Sequence, residues 1–201
     1  MKRDFVIDEL PRGWGYSLLT SMVVPRPIAW VSTVSGGGTP NLAPHSFFTI
    51  ASADPPIVQF TSVTEKDTLR NIRETGEFVI AMVTEDLVDQ ANVTSTRFPP
   101  GVSEFDRAKL TPEPSQFVAP ARIAESPIAI ECRLERIVEV GNSFLVLGAV
   151  LCVAIDETAL DESSTKPHPR YELLRPVARL GRIQWAEPAD AFDLPRPELT
   201  E

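Results

Sequence analysis

Two neighbouring stretches leave little choice of fold class. From Ile128 to Glu135 apolar and polar residues alternate with period two, the pattern of a strand with one wet face. From Phe144 to Ile155 the chain is apolar at both parities, as a central strand requires. Gly141-Asn142 lies between them and suits a tight hairpin turn. Ile28–Val34, Ile57–Val63 (after Pro55-Pro56) and Phe78–Val83 are further runs of apolar and β-branched residues. No strand–helix–strand rhythm repeats and no G-x-G-x-x-G is present, which disfavours a doubly wound parallel sheet. Many strands with irregular connections predict a mainly β protein, a closed or partly closed antiparallel barrel with a few short helices.

The hairpin carries a phase change. Apolar residues occupy even positions up to Leu134 and then Ile137, which predicts a β-bulge near Glu135 or Arg136. Counting back from the turn sets Cys132 opposite Leu151, or opposite Cys152 if one bulge intervenes, so the two thiols are expected to be neighbours and small buried apolar groups. A helix is predicted from Thr64 as N-cap, with Asp67 at the third position, through Leu69 and Ile72 to a stop at Gly76. A second is predicted over Glu85–Asn92. Ser95–Pro120 reads as a long excursion rich in Pro, Ser and charge. Residues 1–186 are expected to form one domain, followed by an acidic, Pro-rich tail over 187–201.

Twenty-eight acidic against nineteen basic residues give a net charge of −9, a field that repels nucleic acid and anionic membranes but leaves room for a local basic pocket. Two cysteines make neither a disulfide framework nor a zinc quartet, and the two histidines, His45 and His168, lack the converging ligands of a metal site. Met1–Asp8 has no continuous apolar stretch, and Phe144–Ile155 is too short to span a bilayer. Together these predict a reduced, soluble, cytoplasmic protein. No G-x-S-x-G elbow supports a serine hydrolase.

Chemistry-bearing residues concentrate between Pro25 and Thr68. Lys66 stands in the first turn of the predicted helix, where the macrodipole favours anions. It makes sense there if an external anion docks on the free N–H groups, or if Glu65 and Asp67 neutralise it in a solvated cluster. Arg26, between two prolines, leaves a stiff segment suited to a fixed contact or to a surface turn. Ser32 and Thr33 can donate to a phosphate or lie on a wet face. In Asn41-Leu42-Ala43-Pro44-His45-Ser46, Pro44 cannot donate to a ladder, so neighbouring backbone groups face a ligand edge or mark an edge-strand irregularity.

Taken in order, these segments resemble the flavin reductase-like family, whose members share the FMN-binding split-barrel fold. The resemblance rests on Pro25-Arg26-Pro27-Ile28-Ala29-Trp30-Val31-Ser32-Thr33, Asn41-Leu42-Ala43-Pro44-His45-Ser46-Phe47-Phe48, Asp54-Pro55-Pro56, Lys66-Asp67-Thr68 with Asn71, and Thr75-Gly76-Glu77-Phe78-Val79. Glu125-Ser126-Pro127, Glu131-Cys132 and Arg179-Leu180-Gly181 extend it, so that it covers roughly residues 15 to 186.

The resemblance implies a homodimeric barrel, Greek-key-like in its connections, with FMN near the subunit interface. Ser32, Thr33, Lys66 and Thr68, with Asp67 in the same segment, would hold the phosphate, and Ala43, Pro44, His45, Ser46 and Phe47 would line the isoalloxazine ring. Arg26, Trp30 and Asn41 touch the cofactor or support its wall. It implies an NAD(P)H-dependent flavin reductase in which hydride passes from NADH or NADPH to flavin N5, and which in some relatives serves a partner monooxygenase. No protein acid or base is needed for that step; His45 is the one candidate for a donor near the flavin N1–C2 carbonyl. Where short-chain reductases carry a His-Pro pair before the last strand, this chain has Arg175-Pro176, with His168-Pro169 earlier. The alternative is a non-catalytic FMN-binding protein that stores flavin or senses redox state.

Overall fold

The computed structural model describes residues 1–99, 101–161, 163 and 165–197. Seven strands form one antiparallel sheet: β1 (Ala29–Val34), β2 (Pro40–His45), β3 (Phe48–Ala53), β4 (Pro56–Val63), β5 (Glu77–Met82), β8 (Ile128–Val140) and β9 (Ser143–Ile155), in the order β2-β1-β5-β8-β9-β4-β3. Two-residue strands β6 (Pro112–Glu113) with β7 (Arg122–Ile123), and β10 (Ala178–Arg179) with β11 (Trp185–Ala186), form two small sheets beside it. The helices are α1 (Trp14–Met22), α2 (Asp67–Thr75), α3 (Val88–Val93), α4 (Glu104–Ala108) and α5 (Tyr171–Leu174). No helix among the described residues is long and apolar enough to cross a membrane.

The sheet closes for a reason visible in its order. β2 and β3 lie at opposite edges, yet only Ser46 and Phe47 separate them in the chain. Three peptide steps reach at most roughly 11 Å. The two edges must therefore meet, and the His45 ring at the end of β2 packs against Phe60 of β4, ring centroids 4.7 Å apart. This is a barrel with a seam, and Pro44 sits on its edge strand, where a missing N–H costs no ladder bond.

Strand parity then sorts the side chains. Ala29 and Val31 point inward to Phe60, Phe78, Val146, Leu69 and Ile72, so α2 packs its apolar stripe into the barrel interior. Ile28, Trp30 and Leu42 point outward and are covered by Leu87, Ala91, Phe105 and Ala108 from the segment that holds α3 and α4. The excursion over 95–120 is thus a cover for the outer face. Glu131, fully buried, ties it down by accepting from the N–H groups of Gln116 (2.9 Å) and Phe117 (2.7 Å) and from the Arg122 guanidinium.

Several expectations need correction. α2 begins at Asp67 with Lys66 as its N-cap, not Thr64. Thr64 takes φ 65°, and its N–H donates to the Asn142 carbonyl, which ends β4 against the hairpin turn instead of starting a helix. Gly76 ends α2 as expected, at φ 72°. The Glu85–Asn92 helix is a 3-10 turn (Glu85–Leu87) running into α3. The bulge near Glu135 is present, but a second one at Leu151 restores the register. Cys132 consequently faces Val150, and Cys152 faces Glu131, so the thiols are not cross-strand partners. A bulge on β8 uses up a β8 residue and moves the partner toward the turn, the opposite of the shift that would join them. The described part of the tail, residues 187–197, has no regular structure and is almost wholly exposed, with the Ala189 N–H donating to the Tyr171 hydroxyl; residues 198–201 lie outside the described residues.

Burial, then the Glu131 charge, pushes the Cys132 thiol up to about 12. In the folded protein at pH 8 a disulfide reagent should therefore titrate no more than Cys152, and Cys132 should react only after denaturation. Two thiols reacting quickly without denaturant would refute this placement.

Candidate functional site

The site is built where β2 and the first turn of α2 converge. Thr33, Asn41, Thr68 and Asn71 come from three separate segments and form one buried network. The Asn41 amide donates to the hydroxyls of Thr33 (3.2 Å) and Thr68 (3.1 Å), and the Asn71 amide donates to Thr33 at 3.1 Å. This network fixes the start of α2 against the barrel edge. Lys66 caps the helix with extended backbone and no side-chain hydrogen bond. The N–H groups of Asp67, Thr68 and Leu69 therefore lack intrahelical acceptors by helix geometry.

Beside that helix end lies a cavity of about 450 Å³. Its walls include Asn41, Ala43, Pro44 and His45 from β2, and Lys66, Asp67 and Thr68 from the helix start. The Ser95-Thr96-Arg97 run and Glu104 close it from the other side. The two carboxylates able to neutralise Lys66 are otherwise engaged. Glu65 pairs with Arg73 at 2.8 Å, and Asp67 pairs with Arg70. Neither Lys66 nor Arg97 has an ion pair among the described residues. Partial burial, then the neighbouring Arg97 charge, lowers the Lys66 pKa. Two cations thus share one cavity in an acidic chain, an arrangement that like-charge repulsion disfavours unless an anion joins them.

The remaining titratable groups of the cavity make no ion pair with either cation. Glu104 is buried, and its Oε2 accepts from the Leu42 N–H at 3.1 Å, taking the place of a ladder partner on the edge strand. Burial raises its pKa, with hydrogen bonds to the backbone N–H groups of Glu104 and Leu42 acting the other way. His45 is 6% exposed and packs against Phe60 with ring centroids 4.7 Å apart. Burial and then the Lys66 charge lower its pKa to about 4, against a smaller opposing contribution from the Thr61 carbonyl. It is a neutral imidazole at physiological pH.

A second cavity, also about 450 Å³, begins one residue further along the chain at Ser46. Its walls are largely apolar: Tyr16 and Leu19 from α1, Val23 just beyond it, and Pro25, Phe47 and Phe48. Arg26 lines it but is largely occupied within the protein. Its guanidinium donates to the carbonyls of Thr20, Val23 (3.0 Å) and Leu180 (2.7 Å), binding α1 to the chain near β10. It also lies 5.8 Å over the Phe47 ring. Consecutive residues, His45 and Ser46, thus belong to the walls of two different cavities, one polar and cationic, the other largely apolar.

The sequence-derived candidates divide accordingly. Asn41, Ala43, Pro44, His45, Lys66, Asp67 and Thr68 line the cationic cavity; Arg26, Ser46 and Phe47 line the apolar one. Thr33 stands behind Thr68, its hydroxyl already engaged by two amides. Ser32 is on the opposite face of β1, buried, with no partner for its Oγ among the described residues. Trp30 is completely buried, its indole N–H donating to the Thr94 hydroxyl at 2.9 Å. Arg97 and Glu104 escaped the sequence reading, because they belong to a segment with no periodicity to place it.

Comparison with known proteins agrees with this geometry. Residues 21–173 match the model of the flavin reductase like domain. An uncharacterised protein of Aquifex aeolicus is 40% identical over 183 residues, covering 89% of this chain and 92% of its own. The crystal structure of nitrilotriacetate monooxygenase component B from Bacillus cereus superposes with a TM-score of 0.92 at 32% identity, over 96% of this chain and 99% of that one. That of the Pseudomonas fluorescens 2-nitrobenzoate 2-nitroreductase NbaA gives 0.89 at 31%, over 97% and 96%. With the seamed β-barrel, the paired cavities and a family match over most of its length, the chain belongs to the flavin reductase-like family.

Proposed function

We propose that the chain binds FMN across the two cavities and acts as an NAD(P)H-dependent flavin reductase-like oxidoreductase. The observation that carries the reading is the pairing itself: a cavity with two cations, Lys66 and Arg97, that have no ion-pair partner among the described residues, and an apolar cavity of similar size whose wall includes the next residue after His45. FMN has matching halves, a dianionic phosphate on a polyol and a planar ring system. Lys66, Arg97, the Thr68 hydroxyl and the free N–H groups of α2 would receive the phosphate. Phe47, Phe48 and the α1 side chains would cover the ring and keep water from it. Bound there, the flavin supplies two-electron chemistry, with hydride accepted at N5 from a reduced nicotinamide. His45 stays uncharged above its low pKa and shapes the boundary between the halves without adding a third cation.

α1 leaves Trp14, Tyr16, Leu19 and Met22 at 55% to 64% exposure, and Tyr16 and Leu19 among them line the apolar cavity. A patch of that kind suits coverage by a second subunit, which supports a homodimer with the ring near the interface. The similarity to a monooxygenase component supports, in turn, a role in delivering reduced flavin to a partner enzyme.

Anaerobic stopped-flow mixing of the FMN-loaded protein with NADH or NADPH tests the proposal. Rapid loss of the visible flavin band with at least one donor is expected. A yellow protein that neither donor bleaches would instead be a non-catalytic flavin carrier or sensor, and a protein that takes up no FMN would end the cofactor reading.

A further inference from the structure

Arg97 reaches the cavity by a route that involves the barrel core. β1 buries Trp30 completely, on the outward face beneath α3 and α4. A buried indole N–H needs an acceptor. Thr94, the residue that ends α3, provides it at 2.9 Å, and its own hydroxyl donates to the Ala91 carbonyl at 2.9 Å. The chain then turns tightly, with the Ser95 and Thr96 N–H groups donating to the carbonyls of Asn92 and Val93. Ser95, Thr96 and Arg97 follow along the cavity wall opposite Lys66. Beyond them, Phe98 lies under the Arg107 guanidinium at 5.9 Å, so the short run that carries Arg97 is held at both ends.

We infer that Arg97 is the second anchor of the ligand's phosphate, and that Trp30 acts as its positioning residue through the bond to Thr94. This rests on the FMN reading and adds to it a selectivity: the site is built for a flavin that ends in a phosphate monoester and discriminates against the unphosphorylated flavin. Lys66 alone would give some attraction for any anion. A second cation fixed on the opposite wall favours a dianion held between the two, and its planar fork of donors matches phosphate oxygens. Trp30 does not line either cavity, so its contribution passes through the loop root.

Calorimetric titration with FMN and with riboflavin separates these roles. The wild type should prefer FMN. Arg97→Ala should weaken FMN binding about 10- to 100-fold, the scale of a lost charge-assisted hydrogen bond, while leaving riboflavin affinity within about twofold. Arg97→Lys should recover part of the loss. Trp30→Phe, which keeps an aromatic ring but removes the N–H, should lower the FMN-to-riboflavin preference about 3- to 10-fold and add little to Arg97→Ala. If Trp30→Phe does not fold, Thr94→Val removes the acceptor and should give the same shift.

An Arg97→Ala variant that keeps the full FMN preference, or loses both ligands equally, overturns the anchoring role. Equal loss of both ligands in Trp30→Phe and Thr94→Val, or losses that add fully to Arg97→Ala, overturn the positioning role. A wild type that binds both flavins alike overturns the phosphate grip as a whole, and one that binds neither overturns the flavin reading itself.

Discussion

Replacing Lys66 with alanine should weaken FMN binding about 10- to 100-fold, corresponding to the roughly 1.5–3 kcal/mol of a hydrogen bond to a charged group. The expectation follows from what surrounds the lysine. Its two acidic neighbours are already paired, Glu65 with Arg73 and Asp67 with Arg70, so Lys66 has no alternative counterion that the ligand must displace. The α2 N–H groups and Thr68 remain in the variant, which is why binding should be weakened and not abolished. Lys66→Arg should retain a good part of the affinity. Loss of the fluorescence quenching that accompanies flavin binding gives the measurement, and the Lys66 contribution should shrink as salt is raised, because Lys66 is exposed to solvent. Unchanged affinity in Lys66→Ala would remove the lysine from the site.

The largest loss of stability is expected at Glu131. Its side chain is fully buried and accepts from Gln116, Phe117 and Arg122. Glu131→Ala leaves a partly buried guanidinium and two N–H groups without their acceptor, and roughly 3 kcal/mol of stability should be lost. Glu131→Gln keeps one acceptor oxygen and should cost less. Burial by itself would raise the Glu131 pKa, but the two N–H donors and Arg122 outweigh it and hold the carboxyl below its usual 4.5. For a carboxylate with a depressed folded-state pKa, the stabilisation is fully present above 4.5 and disappears as pH falls through the lower folded value. Urea unfolding of the wild type should thus show a declining midpoint below about pH 4.5, and the decline should be shallower in Glu131→Ala. Identical pH profiles for the two proteins would show that this carboxylate is not a source of the acid sensitivity.

What could be read in advance was what depends on neighbours in sequence. The five apolar runs became β1, β4, β5, β8 and β9, because each carries its own periodicity. Gly76 ended a helix because only local backbone geometry is involved. The Glu135 bulge showed as a phase change, whereas the one at Leu151 lies in a strand apolar at both parities and leaves no trace in the pattern. α1 went unseen because its large apolar residues face outward, giving no stripe aimed at a core. In β3, Ala51, Ser52 and Ala53 are too small to define a face. At the site, Lys66 stood out as a cation where a helix dipole disfavours one. Arg97 and Glu104 did not, since their positions are set by distant partners: Trp30 through Thr94 for the first, the Leu42 N–H for the second.

The order in which the strands pair has a consequence for how the protein is made. β1, β2 and β5 can assemble soon after they leave the ribosome, but β4 has its inner neighbour in β9, Ile57 with Ala149 and Val63 with Ser143. Until that later segment emerges, the β3–β4 hairpin lacks its inner strand, although every residue lining the apolar cavity, from Tyr16 to Gln59, has already been made. The nascent chain must wait, with part of its interior uncovered, for a strand that begins at Ser143, far along the chain from the end of β4 at Val63. Such long-range closure is slow compared with local pairing. Closure of the barrel is thereby deferred until β9 has been translated.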